Sequence, residues 1–269
     1  MMDKAVILAR GLGTRMKRQE EGVELSDAQR AAADSGQKAM IRFGRPFLDY
    51  VLADLAEAGY RRVCLVIGPE HKEIREYYTA LTTTRLSIDF AIQQEPRGTS
   101  DAVAAAEKFA AGDHFIAINS DNLYPHEALC GLRELPGAGV ALFEQESLLA
   151  GGNFTRERVS RFAIAKMNGG GLLERVIEKP DEATLAALPR PVFLSMNCWR
   201  LAPSIFEACR KIPLSPRGEL ELTDAVQYSI DVLGEKMYVA KVCAPVLDLT
   251  SRADITAMAK RLEGKEVNL

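Results

Sequence analysis

The feature that most constrains how this chain folds is a regular alternation of short, continuously apolar runs with segments of helical period. Residues 5–9 (Ala-Val-Ile-Leu-Ala), 62–67, 86–93 and 114–119 are strand-length runs rich in Val and Ile. Between them, residues 46–58 place Phe47, Val51, Leu52 and Leu55 on one helical face, with Gly59 behind as a stop. Residues 70–80 read as a second helix and the alanine-rich 100–111 as a third, closed by Gly112. Strands without polar alternation are covered on both faces, so the pattern predicts an α/β, Rossmann-like, mostly parallel sheet with helices on both sides.

The second half is less regular. Strands are expected at 140–145, 161–167, 173–178 and 192–201. The turn Gly169-Gly170-Gly171 joins the second of these to the third as a hairpin. This predicts a small mixed or antiparallel extension. Helices at 203–211 and 221–233, strand material at 236–249 and a closing helix at 251–262 complete the chain. No internal repeat or low-complexity linker divides it. A single domain over residues 1–269 is expected, with halves of about 1–135 and 136–269.

Composition removes several function classes. Lys and Arg number 34 against 37 Asp and Glu, a net charge of −3 with no long run of either sign, which argues against a basic face for nucleic acid. No apolar stretch approaches the ~20 residues of a membrane span. Residues 5–9 are too short for a signal-peptide core and run straight into glycines, so a cytoplasmic location is expected. The five cysteines (Cys64, Cys130, Cys198, Cys209 and Cys243) are scattered and never spaced C-x-x-C, which reads as buried free thiols.

Chemistry concentrates where strands end. After the first strand comes Ala9-Arg10-Gly11-Leu12-Gly13-Thr14-Arg15. Glycines there let backbone N–H groups approach phosphate oxygens, and Arg15 adds a planar charge. The loop is neither a Walker loop nor a dinucleotide fingerprint. Lys38 precedes another apolar run. Gln93 and Gly98 flank the end of a strand, Asp121 follows Asn119-Ser120, Glu178-Lys179 closes the hairpin, and Asp248 ends the last strand. Ligands of open α/β sheets bind outside the carboxyl ends of strands, so these groups read as one cleft.

In motif order, from about residue 3 to 262, the chain resembles the sugar-1-phosphate nucleotidyltransferases, or NDP-sugar pyrophosphorylases. The resemblance implies transfer of a nucleoside monophosphate from an NTP to a sugar 1-phosphate, with release of pyrophosphate. It implies that Ala9, Gly11, Gly13, Thr14 and Arg15 hold the triphosphate and that Lys38 holds the phosphates at the reacting centre. It further implies Gln93 and Gly98 on the base, Asp121 and Asp248 on Mg2+, Glu178 and Asn197 on the sugar, and Lys179 on the sugar phosphate. Arg15, Lys38 and Lys179 are then the catalytic cations. A homo-oligomer is compatible with this reading. Glu219 and Asp224 are further candidates on the sugar side.

The chain departs from the family pattern in particular places. Arg10 stands where the family has Gly or Ala, and must either point away from the phosphates or add a contact. Asn197 replaces a frequent glycine, and Leu247-Asp248-Leu249-Thr250 replaces a Trp-Asp-Ile-Gly pattern. Residues 16–37 widen the gap between Arg15 and Lys38. They are dense in charge, and Ser26-Asp27-Ala28-Gln29 opens a short helix with a capping box. They are read either as a solvated surface loop or as a mobile flap over the site. Two other functions share parts of the pattern: cytidylyl transfer to a non-sugar phosphate such as phosphocholine, and a non-catalytic regulator that binds a nucleotide sugar.

Overall fold

A computed structural model describes residues 2–20, 22–160, 162–178, 180–181 and 188–269. Its centre is a nine-stranded sheet. Strand β1 (Lys4–Leu8) lies between β2 (Arg62–Ile67) and β4 (Phe115–Asn119), parallel to both, and β3 (Ser87–Ile92) extends the parallel part beyond β2. The order β3-β2-β1-β4 reverses direction at β1, so a crevice opens between the carboxyl ends of β1 and β4.

The continuous apolar character of β1 has its expected cause. Ala5 and Ile7 enter one core with Phe47, Leu52 and Leu65, while Val6 enters the opposite core with Cys64, Val103 and Trp199. Both faces are therefore covered by helices. One side carries α2 (Phe47–Glu57), whose apolar positions are buried as the sequence predicts. The other carries α4 (Thr99–Ala105) and the later helices α9 (Ile205–Lys211) and α10 (Leu222–Asp231).

The second half joins the same sheet through β8 (Phe193–Leu201). This strand runs antiparallel to β4 at Trp199–Leu201 and to β6 (Ala163–Met167) at Leu194 and Ser195. It also pairs with β5 (Gly139–Glu144), with a register shift between Ser195 and Trp199. Asn197 sits inside that irregularity with φ +55°, the left-handed conformation that explains why glycine is frequent there. Strand β7 (Leu173–Ile177) forms the expected hairpin with β6, and β9 (Tyr238–Val242) runs parallel to β5.

Helices α3 (Lys72–Ala80), α5 (Glu107–Ala110) and α6 (His126–Glu134) complete the first half, and α7 (Gln145–Gly151), α8 (Arg156–Val159) and α11 (Arg252–Leu262) the second. Helices α7 and α8 fall where the sequence shows no clear period. All five cysteines are free thiols as expected; Cys64, Cys198 and Cys209 are buried, whereas Cys130 is partly exposed and Cys243 lies at the surface, against the expectation of burial. None of the described helices is long and apolar enough to cross a membrane.

The segment read as a flap is anchored. Its helix α1 (Asp27–Ser35) carries the capping box between Ser26 and Gln29, and Met16 and Ala33 are fully buried. Arg252, 2% exposed, donates to the carbonyl of Met16 at 3.0 Å and pairs with Asp34. Glu20 accepts the Ala253 N–H at the start of α11 at 2.8 Å.

Candidate active site

A cleft of about 430 Å³ opens at the carboxyl ends of β1 and β4. Nine of the residues singled out in the sequence line it: Ala9, Gly11, Gly13, Thr14, Arg15, Lys38, Gln93, Gly98 and Asp121. Glu219 lines it as well. Glu178, Asn197 and Asp248 lie outside its lining, and Lys179 falls outside the described residues.

The two glycines of the loop do different work. Gly13 has φ +60°, and a Cβ there would come within 2.3 Å of the Gly36 carbonyl oxygen. It is glycine because the loop crosses the anchored segment at backbone contact. Gly11 has ordinary φ, and a Cβ there would meet nothing within 4 Å. No packing demand explains that glycine, and the open space beside it is the cleft itself.

At one end of the cleft, Gln93 is 4% exposed and its side-chain N–H groups are committed. Nε2 donates to the Gly98 carbonyl at 3.0 Å and to Asp101 Oδ2 at 2.9 Å. Both partners can only accept, which fixes the amide orientation and leaves Oε1 as its acceptor for a ligand. Gly98 has φ +118°, and a Cβ would lie 2.4 Å from the Leu220 carbonyl oxygen, so the loop after Gln93 is clamped against 219–222. Arg10 also lines the cleft, with its Nη1 buried and without a hydrogen-bond partner among the described residues, while the rest of its guanidinium is held at the end of β2. Its Nε and Nη2 donate to Glu70 at 3.2 and 3.3 Å, over Gly68, where a Cβ would meet the guanidinium. His71 beside it accepts the Gly68 N–H on Nδ1. Burial first, then the charge of Arg10, holds its pKa below the usual imidazole value, against the pull of Glu70.

At the other end, Lys38 Nζ and Asp121 Oδ2 form an ion pair of 2.7 Å. Asp121 does not cap α6, whose first flanking residue is Pro125. Asp248 does not cap α11 either, since Ser251 and Asp254 form that capping box. Instead Asn122–Leu123 and Leu247–Asp248 pair as a short antiparallel ladder, and the Leu249 N–H donates to the Asp121 carbonyl at 2.8 Å. The two aspartates are thereby neighbours. Burial and the charge of Asp121 raise the Asp248 pKa, with Arg158 and Lys38 opposing.

The sugar-side candidates cluster apart from this cleft. Glu178 accepts from the Thr223 hydroxyl at 3.0 Å and lies 3.6 Å from Arg217, which also pairs with Glu221 at 2.7 Å. Burial, with the nearby charges of Glu178 and Glu219, raises the Glu221 pKa against the opposing charge of Arg217. Burial and Glu178 likewise raise that of Asp224. Glu219, which neighbours Glu221 in sequence, is the member of this stretch that lines the cleft. The Asn197 side-chain oxygen accepts from the Trp199 indole at 3.4 Å.

Among the described residues, no group of three or more His, Cys, Asp or Glu side chains forms a metal cage. Magnesium does not need one, because it is commonly held by one or two carboxylates together with substrate phosphate oxygens. Asp121, a hard oxygen donor on the cleft wall beside a phosphate-type glycine loop, fits that requirement. The structure places Arg158 against Asp248, a role with no local signal in the sequence, where nothing separates it from other surface arginines.

Comparison with known proteins agrees with this geometry. A family model described as nucleotidyl transferase matches residues 4–242. A low-salt glycan biosynthesis nucleotidyltransferase of Haloferax volcanii is 28% identical over 242 residues, covering 85% of this chain and 59% of the relative. A UTP–glucose-1-phosphate uridylyltransferase of the same organism is 26% identical over 84% of this chain and 83% of the relative. The chain spans about half to three fifths of the length of the first two curated relatives it matches. A UTP-bound UGPase from Acinetobacter baumannii superposes with a TM-score of 0.74 at 18% identity, over 99% of this chain and 96% of that one, a likeness of fold.

Proposed function

Because the chain belongs to the nucleotidyl transferase family, we propose that it transfers a nucleoside monophosphate from an NTP to a sugar 1-phosphate, yielding an NDP-sugar and pyrophosphate. The observation that carries this reading is the meeting of the glycine loop, Arg15, Lys38 and Asp121 in one cleft at the β1/β4 crevice.

A phosphate oxygen of the sugar 1-phosphate attacks the α-phosphorus of the NTP. The new O–P bond forms as the bond to the β-phosphate oxygen breaks, and pyrophosphate leaves. The second pKa of a phosphate monoester is near ~6, so the nucleophile is already ionised at neutral pH and no general base is required. The chain's task is to bring two polyanions together. Arg15 and Lys38 neutralise the triphosphate, and Lys179 is assigned to the sugar phosphate by its place after Glu178. Asp121, with Asp248 adjacent, would hold a magnesium ion, which would supply charge stabilisation at the phosphates.

By resemblance Gln93 faces the base, and with both amide hydrogens committed its Oε1 is left as an acceptor for a base N–H. UTP leads, since a relative 26% identical to this chain is named as a UTP–glucose-1-phosphate uridylyltransferase. That relative and a glucose-1-phosphate thymidylyltransferase of Streptomyces griseus, 28% identical, favour this reading over the cytidylyl alternative. Calorimetric titration of the chain with UTP, dTTP, GTP, CTP and ATP, each with magnesium, tests the base reading. UTP or dTTP should bind at least ~10-fold more tightly than CTP and ATP. Equal binding of CTP and UTP would contradict it.

A further inference from the structure

Asp248 is a metal ligand by resemblance, yet each of its carboxylate oxygens already has a partner within the protein. Oδ1 accepts from Arg158 Nη2 at 2.6 Å, and Oδ2 from Asn122 Nδ2 at 3.0 Å. Its main chain is held on both sides by Asn153: the Asp248 N–H donates to Oδ1 at 2.8 Å and its carbonyl accepts from Nδ2 at 2.6 Å.

Arg158 has a seat of its own there. Its Nη1 donates to Asp254 Oδ1 at 3.1 Å, and its guanidinium lies 5.1 Å from the centre of the Phe154 ring. Asp254 is fixed in turn, because its Oδ2 accepts the N–H groups of Thr250 and Ser251 at the start of α11. The arginine is thus shared between two buried carboxylates and stacked on an aromatic face, a geometry suited to guanidinium and not to a displaceable counter-ion. Removing one member of such a buried set leaves an uncompensated charge.

Asp121 is differently placed. It lines the cleft and is paired through one oxygen to Lys38. Lys38 is itself a cleft residue that an incoming triphosphate attracts.

We infer that Arg158 is the permanent counter-ion of Asp248, so that Asp121 is the one carboxylate through which this chain holds its divalent cation, phosphate oxygens of the nucleotide completing the shell. The inference rests on the proposed nucleotidyl transfer for the presence of a cation, and on the Arg158 geometry for its arrangement. One carboxylate plus phosphates is within the normal range for magnesium. Asp248 then acts as a positioning residue, holding the ladder that carries Asp121. Without nucleotide the cation site has a single carboxylate with a lysine and an arginine close by, so the cation arrives with the nucleotide.

Manganese serves as the probe, with free Mn2+ read by electron paramagnetic resonance during titration of the full chain, with and without UTP and with no sugar phosphate present. With UTP, Asp121→Asn should weaken Mn2+ binding at least ~10-fold, and Asp248→Asn, which removes a partner of Arg158 but no ligand, should weaken it no more than ~3-fold. Without UTP, Arg158→Met should uncover Asp248 and tighten Mn2+ binding by roughly 10-fold, and adding Asp248→Asn should abolish that gain. If Arg158→Met does not fold, the Asp121→Asn and Asp248→Asn comparison alone decides. Weakening by Asp248→Asn equal to that by Asp121→Asn would overturn the inference. No effect from Asp121→Asn would overturn the cation site itself, and with it part of the proposed reaction.

Discussion

Lys38 and Asp121, 2.7 Å apart across 83 residues of sequence, form the pair whose loss is most diagnostic of the proposed chemistry. Asp121→Asn keeps the shape of the side chain and removes its charge. It should lower kcat by ~10²–10³-fold while leaving the thermal melt within a few degrees of wild type, measured by circular dichroism. Near-normal turnover would return Asp121 to a structural role. At this scale the sequence was informative wherever a residue type at a strand end is itself the chemistry: Gly13, Lys38, Gln93 and Asp121 all reach the cleft. It was silent where direction depends on a distant partner. Arg10 is held by Glu70, 60 residues away, over the space at Gly68. Arg158 meets Asp248 at a separation of 90 residues, and no local pattern reports such a contact.

Among elements, the segment between Arg15 and Lys38 departs most from its sequence-based expectation. Mixed charge and a capping box describe a surface helix, and nothing local distinguishes one that moves from one that is fastened. The fastening comes from α11, through a buried arginine 236 residues beyond Met16. Arg252→Met should therefore lower stability by about 2–4 kcal/mol, because it strands two backbone carbonyls and Asp34. Urea denaturation measures this, and a loss below about 0.5 kcal/mol would mean that the anchoring is superficial. Since Gly13 packs on Gly36, the same substitution should also raise the KM for the NTP by loosening the floor of the phosphate loop. By contrast, α2 and the parallel strands were legible because burial on one face or both imposes a period. Helices α7 and α8 were not, since their few buried positions, such as Leu148 and Val159, are too sparse to make one.

For the molecule as a whole, the consequential feature is that one sheet serves both halves. Strand β8 runs beside β4 at Trp199–Leu201 and continues to β6 at Leu194 and Ser195, so the strand that ends at Asp121 and the hairpin that ends at Glu178 belong to one framework. The sequence predicted the mixed extension from the Gly169-Gly170-Gly171 turn; the splice through β8 depends on pairings between distant strands that periodicity does not encode. Under the proposed function this continuity carries the cleft and the Glu178 hairpin on one framework, and the overall reaction is the decisive readout. The measurement is pyrophosphate release by the purified chain with UTP or dTTP, magnesium and a panel of hexose 1-phosphates. The account predicts release stoichiometric with NDP-sugar for at least one pair, dependent on both substrates and abolished by chelation. Tight calorimetric binding of UTP with no pyrophosphate released for any sugar 1-phosphate would contradict it and leave a nucleotide-binding regulator in its place.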